Sequence, residues 1–346
     1  MGRAIPFGLA STRLANGASV DILSGFRRPF GLEFSNDGGL LVADMDLHRV
    51  IRFDDRLQFR DAIGGARDGW QPDVSGTNGS LRGPHAVCRD AADRLYVTEY
   101  QGQRIGVFDA EGRCLHRIGE GDGGVALAGP ASASFTPEGA LLVAEYALNA
   151  ILRFEPTGRC SGALGAPADG APPHGFGAPV PMRESAAPGG FARPHMARHG
   201  PEGLLYVADT WNHRIQRLAP DGDYRAWLGA TSAGPTRAWS RDGSAAASGA
   251  AGGLHAPVAI DFVPGGGLLV TDWGNHRIQC FHADGRPLGS FGGGLAGASA
   301  DRPSAAGSGP GAFRRPYDAR ARGNDLYVAD THNHRIQVFR NAFPDA

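Results

Sequence analysis

The chain has 346 residues, within reach of one large all-β domain, and its 34 Lys and Arg against 35 Asp and Glu leave a net charge of -1. That balance gives no electrostatic reason to expect nucleic acid or an anionic membrane, although a protein partner stays open. No apolar run reaches membrane-spanning length, the start lacks a signal-peptide pattern, and the four cysteines show no CxxC spacing, so a cytoplasmic protein with reduced thiols is expected.

In chain order, GASVDILSG at 17–25 reads as an isolated strand, and six similar units follow it. Each opens at a proline (Pro29, Pro84, Pro130, Pro194, Pro257, Pro316) that begins an alternating segment such as PHAVCRD or PVAIDFV. Each then reaches an acid, a tight turn and a basic strand. These phrases are VADMDLHRVIRF (42–53), VTEYQGQRIGVF (97–108), VAEYALNAILRF (143–154), ADTWNHRIQRL (208–218), TDWGNHRIQCF (271–281) and ADTHNHRIQVF (329–339). Four strands per unit, repeated six times, predict an all-β six-bladed β-propeller with four-stranded blades. It spans 1–346 as a single domain, with blades near 25–65, 81–119, 127–165, 191–229, 254–291 and 313–340. After HRIQVF too little chain remains for a last strand, so strand 17–24 is expected to complete blade six and leave no open edge.

The phrase D-x-x-NHRIQ, with F-x-x-P about eighteen residues before it, resembles the NHL repeat, most closely in blades four, five and six. Blades two and three depart from it, with Gln103 and Asn149 in the His place and Ala150 in the Arg place. The repeated Asp, His and Arg are expected to hold turns and blades together.

Antiparallel parity puts the inter-blade connections and the turns between second and third strands on one face. Long connections at 166–190, 230–253 and 292–312 are expected to be functional covers or disordered. The turns carry Tyr100, Tyr146, Trp211, Trp273 and His332, a wall for a ligand or partner. The residues after the landmark prolines are Phe30, His85, Ala131, His195, Val258 and Tyr317. His, His and Tyr thus alternate around the axis, so His85 and His195 are candidate ligands of a divalent or transition metal, Zn or Fe/Cu. Four places past each proline stand Glu33, Cys88, Ser134, Arg198, Asp261 and Arg320, which predict a polar channel holding either an ion-pair lattice or a funnel. Arg28, Arg193 and Arg315 precede their prolines as a basic rim suited to a carboxylate or phosphate. The stretch GEGDGGVALAG at 119–129 has the composition of a cation-binding turn and nothing more.

The Pro-His dipeptides on blades two and four resemble the peptidyl-α-hydroxyglycine α-amidating lyase domain, which implies zinc ligation by His85 and His195; Tyr317 departs from that pattern. The first reading is a metal-dependent enzyme, lyase-like or hydrolytic, acting on a small anionic molecule or peptide at the channel mouth. Tyr146, Tyr317 or Asp318 would handle a proton, and Arg28, Arg193, Arg198, Arg315, Arg320, Trp211 and Trp273 would hold the substrate. The alternative is a non-catalytic NHL-type scaffold that binds a protein or peptide.

Overall fold

The computed structural model describes residues 7–14, 17–64, 79–119, 125–179, 181–241, 243–292, 295–298 and 305–343. Residues 120–124 of the Gly- and Asp-rich stretch lie outside them. Six antiparallel sheets stand around one axis, each opened by an inner strand at or just after its landmark proline. The inner strands are Pro29–Phe34, Pro84–Arg89, Pro130–Phe135, Met196–His199, Pro257–Phe262 and Asp318–Arg322. Their apolar partners on the second and third strands interdigitate between blades. Phe108 and Val97 of blade two, for example, share a core with Leu41 and Val50 of blade one.

The ring closes as expected. Ser19–Ser24 pairs antiparallel with Arg335–Arg340, from Ser19 opposite Arg340 to Ser24 opposite Arg335. Val20 and Leu23 bury completely, and Arg340 clamps the junction, with its Nε 2.7 Å from Asp21 and its Nη1 2.7 Å from Asp325. A further strand, Leu9–Arg13, covers the outer edge of this sheet.

The blades are less uniform than four strands each. Blades one and two have four, whereas the connections after blades three, four and five return to pair at the outer edge. His174–Gly177 and Met182–Arg183 extend blade three, Gly234–Pro235 extends blade four, and Leu295–Ala298 extends blade five. Trp239, on the second long connection, lies under the Arg217 guanidinium 4.6 Å away and donates its Nε1–H to the Ala283 carbonyl at 2.8 Å. The described parts of these connections thus satisfy sheet edges, which an exposed strand would leave open.

The repeated phrase is the brace of each blade. In blade four, Asp209 accepts from Arg214 Nε at 2.7 Å, Asn212 Nδ2 at 2.9 Å, Gln216 Nε2 at 2.9 Å and the Ala192 N–H at 2.8 Å. Asp272 and Asp330 repeat the set with Arg277 and Arg335. The residue after the asparagine of that set, His213, turns the chain through the left-handed region at φ 54°. Its Nδ1 accepts the Ala256 N–H of blade five at 3.1 Å, and His48 and His276 likewise accept from Gly83 and Arg315. Asn149 performs the same latch on Arg193 through its amide oxygen at 2.9 Å, which explains how blade three manages without a histidine. His, Asn and Gln all occupy this left-handed position, where a β-branched side chain would be strained.

All four cysteines are free thiols, and no helix of the described residues is long and apolar enough to cross a membrane.

Candidate functional site

The inner strands begin at one end of the ring, so the residues after the landmark prolines meet there. Four of them, Phe30, His85, His195 and Tyr317, line a cavity of about 220 Å³ together with the turn residues Tyr100, Tyr146, Trp273 and His332. The rings of His85 and His195 lie 6.3 Å apart, His85 and Tyr317 4.9 Å, and His195 and Tyr317 5.7 Å. Side chains separated by more than a hundred positions in sequence therefore share one small chamber.

His85 is oriented by the neighbouring blade and His195 by a threonine of its own blade that is itself tied to the next. His85 Nδ1 sits 2.6 Å from the Ala131 carbonyl, which accepts only, so Nδ1 carries the proton and Nε2 keeps its lone pair. That lone pair takes the Tyr317 hydroxyl at 3.0 Å. His195 Nδ1 lies 2.9 Å from Thr210 Oγ1, whose own proton goes to the Pro257 carbonyl at 2.7 Å. Nδ1 of His195 is therefore also the donor, which leaves Nε2 as a base. Burial lowers the His85 pKa to about 4, against the pull of the Ala131 carbonyl, and burial followed by the neighbouring His85 lowers that of His195 to about 3. Burial likewise pushes the Tyr317 phenol well above its ordinary value, so it stays protonated.

Tyr146 packs edge-on to His195 at 4.8 Å, and its oxygen accepts from Arg193 Nη1 and Trp211 Nε1, each at 3.2 Å. Both donors stand at the rim, with Trp211 about half exposed (49%). Arg28 lines the cavity, its guanidinium 5.1 Å from the Phe30 ring and 3.2 Å from Asp46. Arg315 lies over Trp273 at 4.3 Å. These residues form an arginine and aromatic collar around the chamber.

Three of the expected site residues lie elsewhere. Asp318 is buried below the chamber, accepting the Leu32 and Ala319 N–H groups at 2.9 Å and facing Arg320 Nε at 3.3 Å; it does not line the cavity. Arg198 and Arg320 line a separate cavity at the far ends of the inner strands. Among the described residues, none that lines the mouth comes from the long connections. Thr210 and the Ala131 carbonyl, which fix the tautomers, were not anticipated. The Thr that follows the acid in ADTWNHR was the available signal, while a backbone carbonyl leaves none.

The expected metal is overturned. Among the described residues no group of three or more His, Cys, Asp or Glu side chains is placed to hold a metal ion. The third place around the axis belongs to a protonated phenol that occupies the His85 Nε2 lone pair, the donor a metal would need. A Zn or Fe/Cu centre on His85 and His195 is therefore withdrawn.

The NHL repeat model matches residues 191–218, 254–281 and 313–339, which run from just before the inner strand through the third strand of blades four, five and six. No curated protein matches the chain. Among solved structures the fold resembles virginiamycin B lyase from Staphylococcus aureus, crystallised with quinupristin, at 14% identity and TM-score 0.55, covering 97% of this chain and 96% of that one. It also resembles a streptogramin B lyase (15%, TM-score 0.55, covering 98% and 94%). A gluconolactonase from Xanthomonas campestris is similar in the same degree (16%, TM-score 0.54, covering 98% and 97%). At these identities the likeness is one of fold. The chain is a six-bladed β-propeller carrying NHL repeats in its last three blades.

Proposed function

We propose that the chain is an enzyme that moves a proton on a small anionic substrate at the mouth of the propeller channel, in lyase-like or hydrolytic chemistry. The observation that carries this reading is the pair of Nδ1-protonated imidazoles in one chamber, one of them hydrogen-bonded to Tyr317 at 3.0 Å. Two neutral bases and a phenol held by backbone and threonine partners amount to a prepared proton path. His195 Nε2 accepts a proton from the substrate or from an attacking water. Alternatively Tyr317 accepts that proton on its oxygen while passing its own to His85 Nε2, and the same relay run backward returns it from His85 through Tyr317 to the leaving group.

Electrostatics select the substrate class. An imidazolium is costly beside a second imidazole in a buried chamber, so the proton moves readily only when a negative charge enters with the substrate. Arg28 and Arg193 stand at the rim to receive that charge, and Tyr146 keeps its hydroxyl proton for the ligand because Arg193 and Trp211 both donate to its oxygen. The similar folds include lyases and a gluconolactonase, and cyclic esters are accordingly the first substrates to try. The resemblance to the amidating lyase domain is confined to the two Pro-His dipeptides, and no zinc step is taken from it.

The test is turnover of D-glucaro-1,4-lactone, a small cyclic ester that carries a free carboxylate, set beside the uncharged D-glucono-δ-lactone. His195→Gln and Tyr317→Phe should each lower kcat/KM about a hundredfold or more, with unchanged circular dichroism. Turnover that survives both substitutions, or no turnover of any lactone or ester, sinks the enzymatic reading and leaves the collar as a peptide-binding rim.

A further inference from the structure

At the opposite end of the channel, where the inner strands finish, lies a second and larger cavity of about 530 Å³. Its charged lining is two and two, Arg198 and Arg320 against Glu33 and Asp261. The pairing among them is loose. Asp261 Oδ1 is 3.4 Å from Arg198 Nη2 and 3.8 Å from Arg320 Nη1, well beyond the 2.7 to 2.9 Å or so of a good charge-assisted hydrogen bond. The other oxygen of Asp261 is taken by the Ala321 N–H at 2.9 Å, and Glu33 Oε1 by the Phe34 N–H at 2.8 Å. Arg320 is only 6% exposed, yet its Nη1 has no hydrogen-bond partner, although its Nε is held by the Leu32 carbonyl at 3.1 Å and by Asp318, which lies outside the cavity, at 3.3 Å.

A buried guanidinium with an idle donor ordinarily costs stability, and native proteins keep such groups where a ligand completes them. We propose that this end of the channel binds a small zwitterion with a free amino and a free carboxylate group, that is, a free amino acid. Its carboxylate bridges Arg198 and Arg320 Nη1, and its ammonium meets Glu33. The balanced lining explains the choice: a simple anion or a simple cation would leave one charge of the set uncompensated in a half-enclosed site, whereas a neutral dipole of opposite ends leaves none. His199, at the same rim, has its pKa lowered by burial and adds no charge to this account at neutral pH.

The experiment is calorimetric titration of the full chain with γ-aminobutyrate, glycine and alanine, set beside the methyl ester and the N-acetyl derivative of γ-aminobutyrate. Saturable binding of at least one amino acid is expected, weakened roughly tenfold or more in the ester and in the acetylated form, since each loses one charge-assisted contact. Glu33→Gln should weaken the amino acid but leave the weaker binding of its N-acetyl derivative unchanged, and His195→Gln, at the other mouth, should leave binding intact. An N-acetyl derivative that binds as tightly as its parent would mean an unspecific anion site, and the absence of saturable binding by every amino acid overturns the proposal outright. A binding loss in His195→Gln would place the ligand at the wrong end and overturn it equally.

Discussion

Glu145 faces Ala150 across the second and third strands of blade three, where the other five blades set an arginine opposite the hinge acid. One of its oxygens takes the Ala128 and Gly129 N–H groups, while Oε2 is buried without a partner. Burial therefore raises its pKa from 4.5 to about 7, with those backbone donors opposing. A raised carboxyl pKa means that the folded state holds the proton more tightly. The stability it contributes is complete below pH 4.5 and is lost as pH rises through about 7, a change of about 3 kcal/mol. Urea unfolding of wild type and Glu145→Gln should diverge by about that amount between pH 4.5 and 8, the variant becoming the more stable at the alkaline end. A difference that stays flat with pH contradicts it. The histidines at the mouth carry the opposite sign. Their depressed pKa values keep them neutral down to about 4 and about 3, so the acid limb of kcat/KM should fall near pH 4 in the free enzyme. A limb near 6.5 would show imidazoles in contact with bulk water. The gap at Ala150 was legible in the sequence as a departure from the repeat. Its consequence was not, because an orphaned oxygen is a fact of burial.

At the scale of the element, the phrase NHRIQ is a brace and a latch in one. The Asp209–Arg214 pair is wholly buried and shares its acid with Asn212 and Gln216, so Arg214→Met strands a carboxylate among satisfied donors. Loss of about 3 to 5 kcal/mol is expected, read from the urea midpoint, against less than 1 kcal/mol for the exposed Arg286→Met. The closing strand makes a second claim at this scale. Removing residues 1–24 exposes Arg335–Arg340 as a raw edge beside buried Phe339 and Val338, so the truncated chain should aggregate; a monomeric, folded product would contradict ring closure by Ser19–Ser24. These elements could be read in advance because period-two alternation and turn residues are local. The extra edge strands of blades three to five could not, since Gly- and Ala-rich connections such as 230–253 carry no alternation, and their pairing depends on which edge lies nearby.

Over the whole molecule, ring symmetry converts sequence order into proximity. Alternate placement after the prolines was enough to bring His85, His195 and Tyr317 to one chamber. It was not enough to decide what they hold, since a cation and a phenol hydrogen bond compete for the same Nε2 lone pair and only atomic geometry shows which is seated. The charged ring deeper in the channel was read as either an ion-pair lattice or a funnel. It proves to belong to a separate cavity at the opposite end, with Asp318 buried off both. What makes the mouth a proton path is the internal hydrogen bond from Tyr317 to His85 Nε2. Two-bond ¹H–¹⁵N correlation of the imidazoles at pH 7 tests it most directly. His85 and His195 should both be neutral and protonated at Nδ1, and Tyr317→Phe should move the His85 Nε2 resonance toward that of a free lone pair. A His85 protonated at Nε2, or an Nε2 resonance indifferent to Tyr317→Phe, would contradict the account.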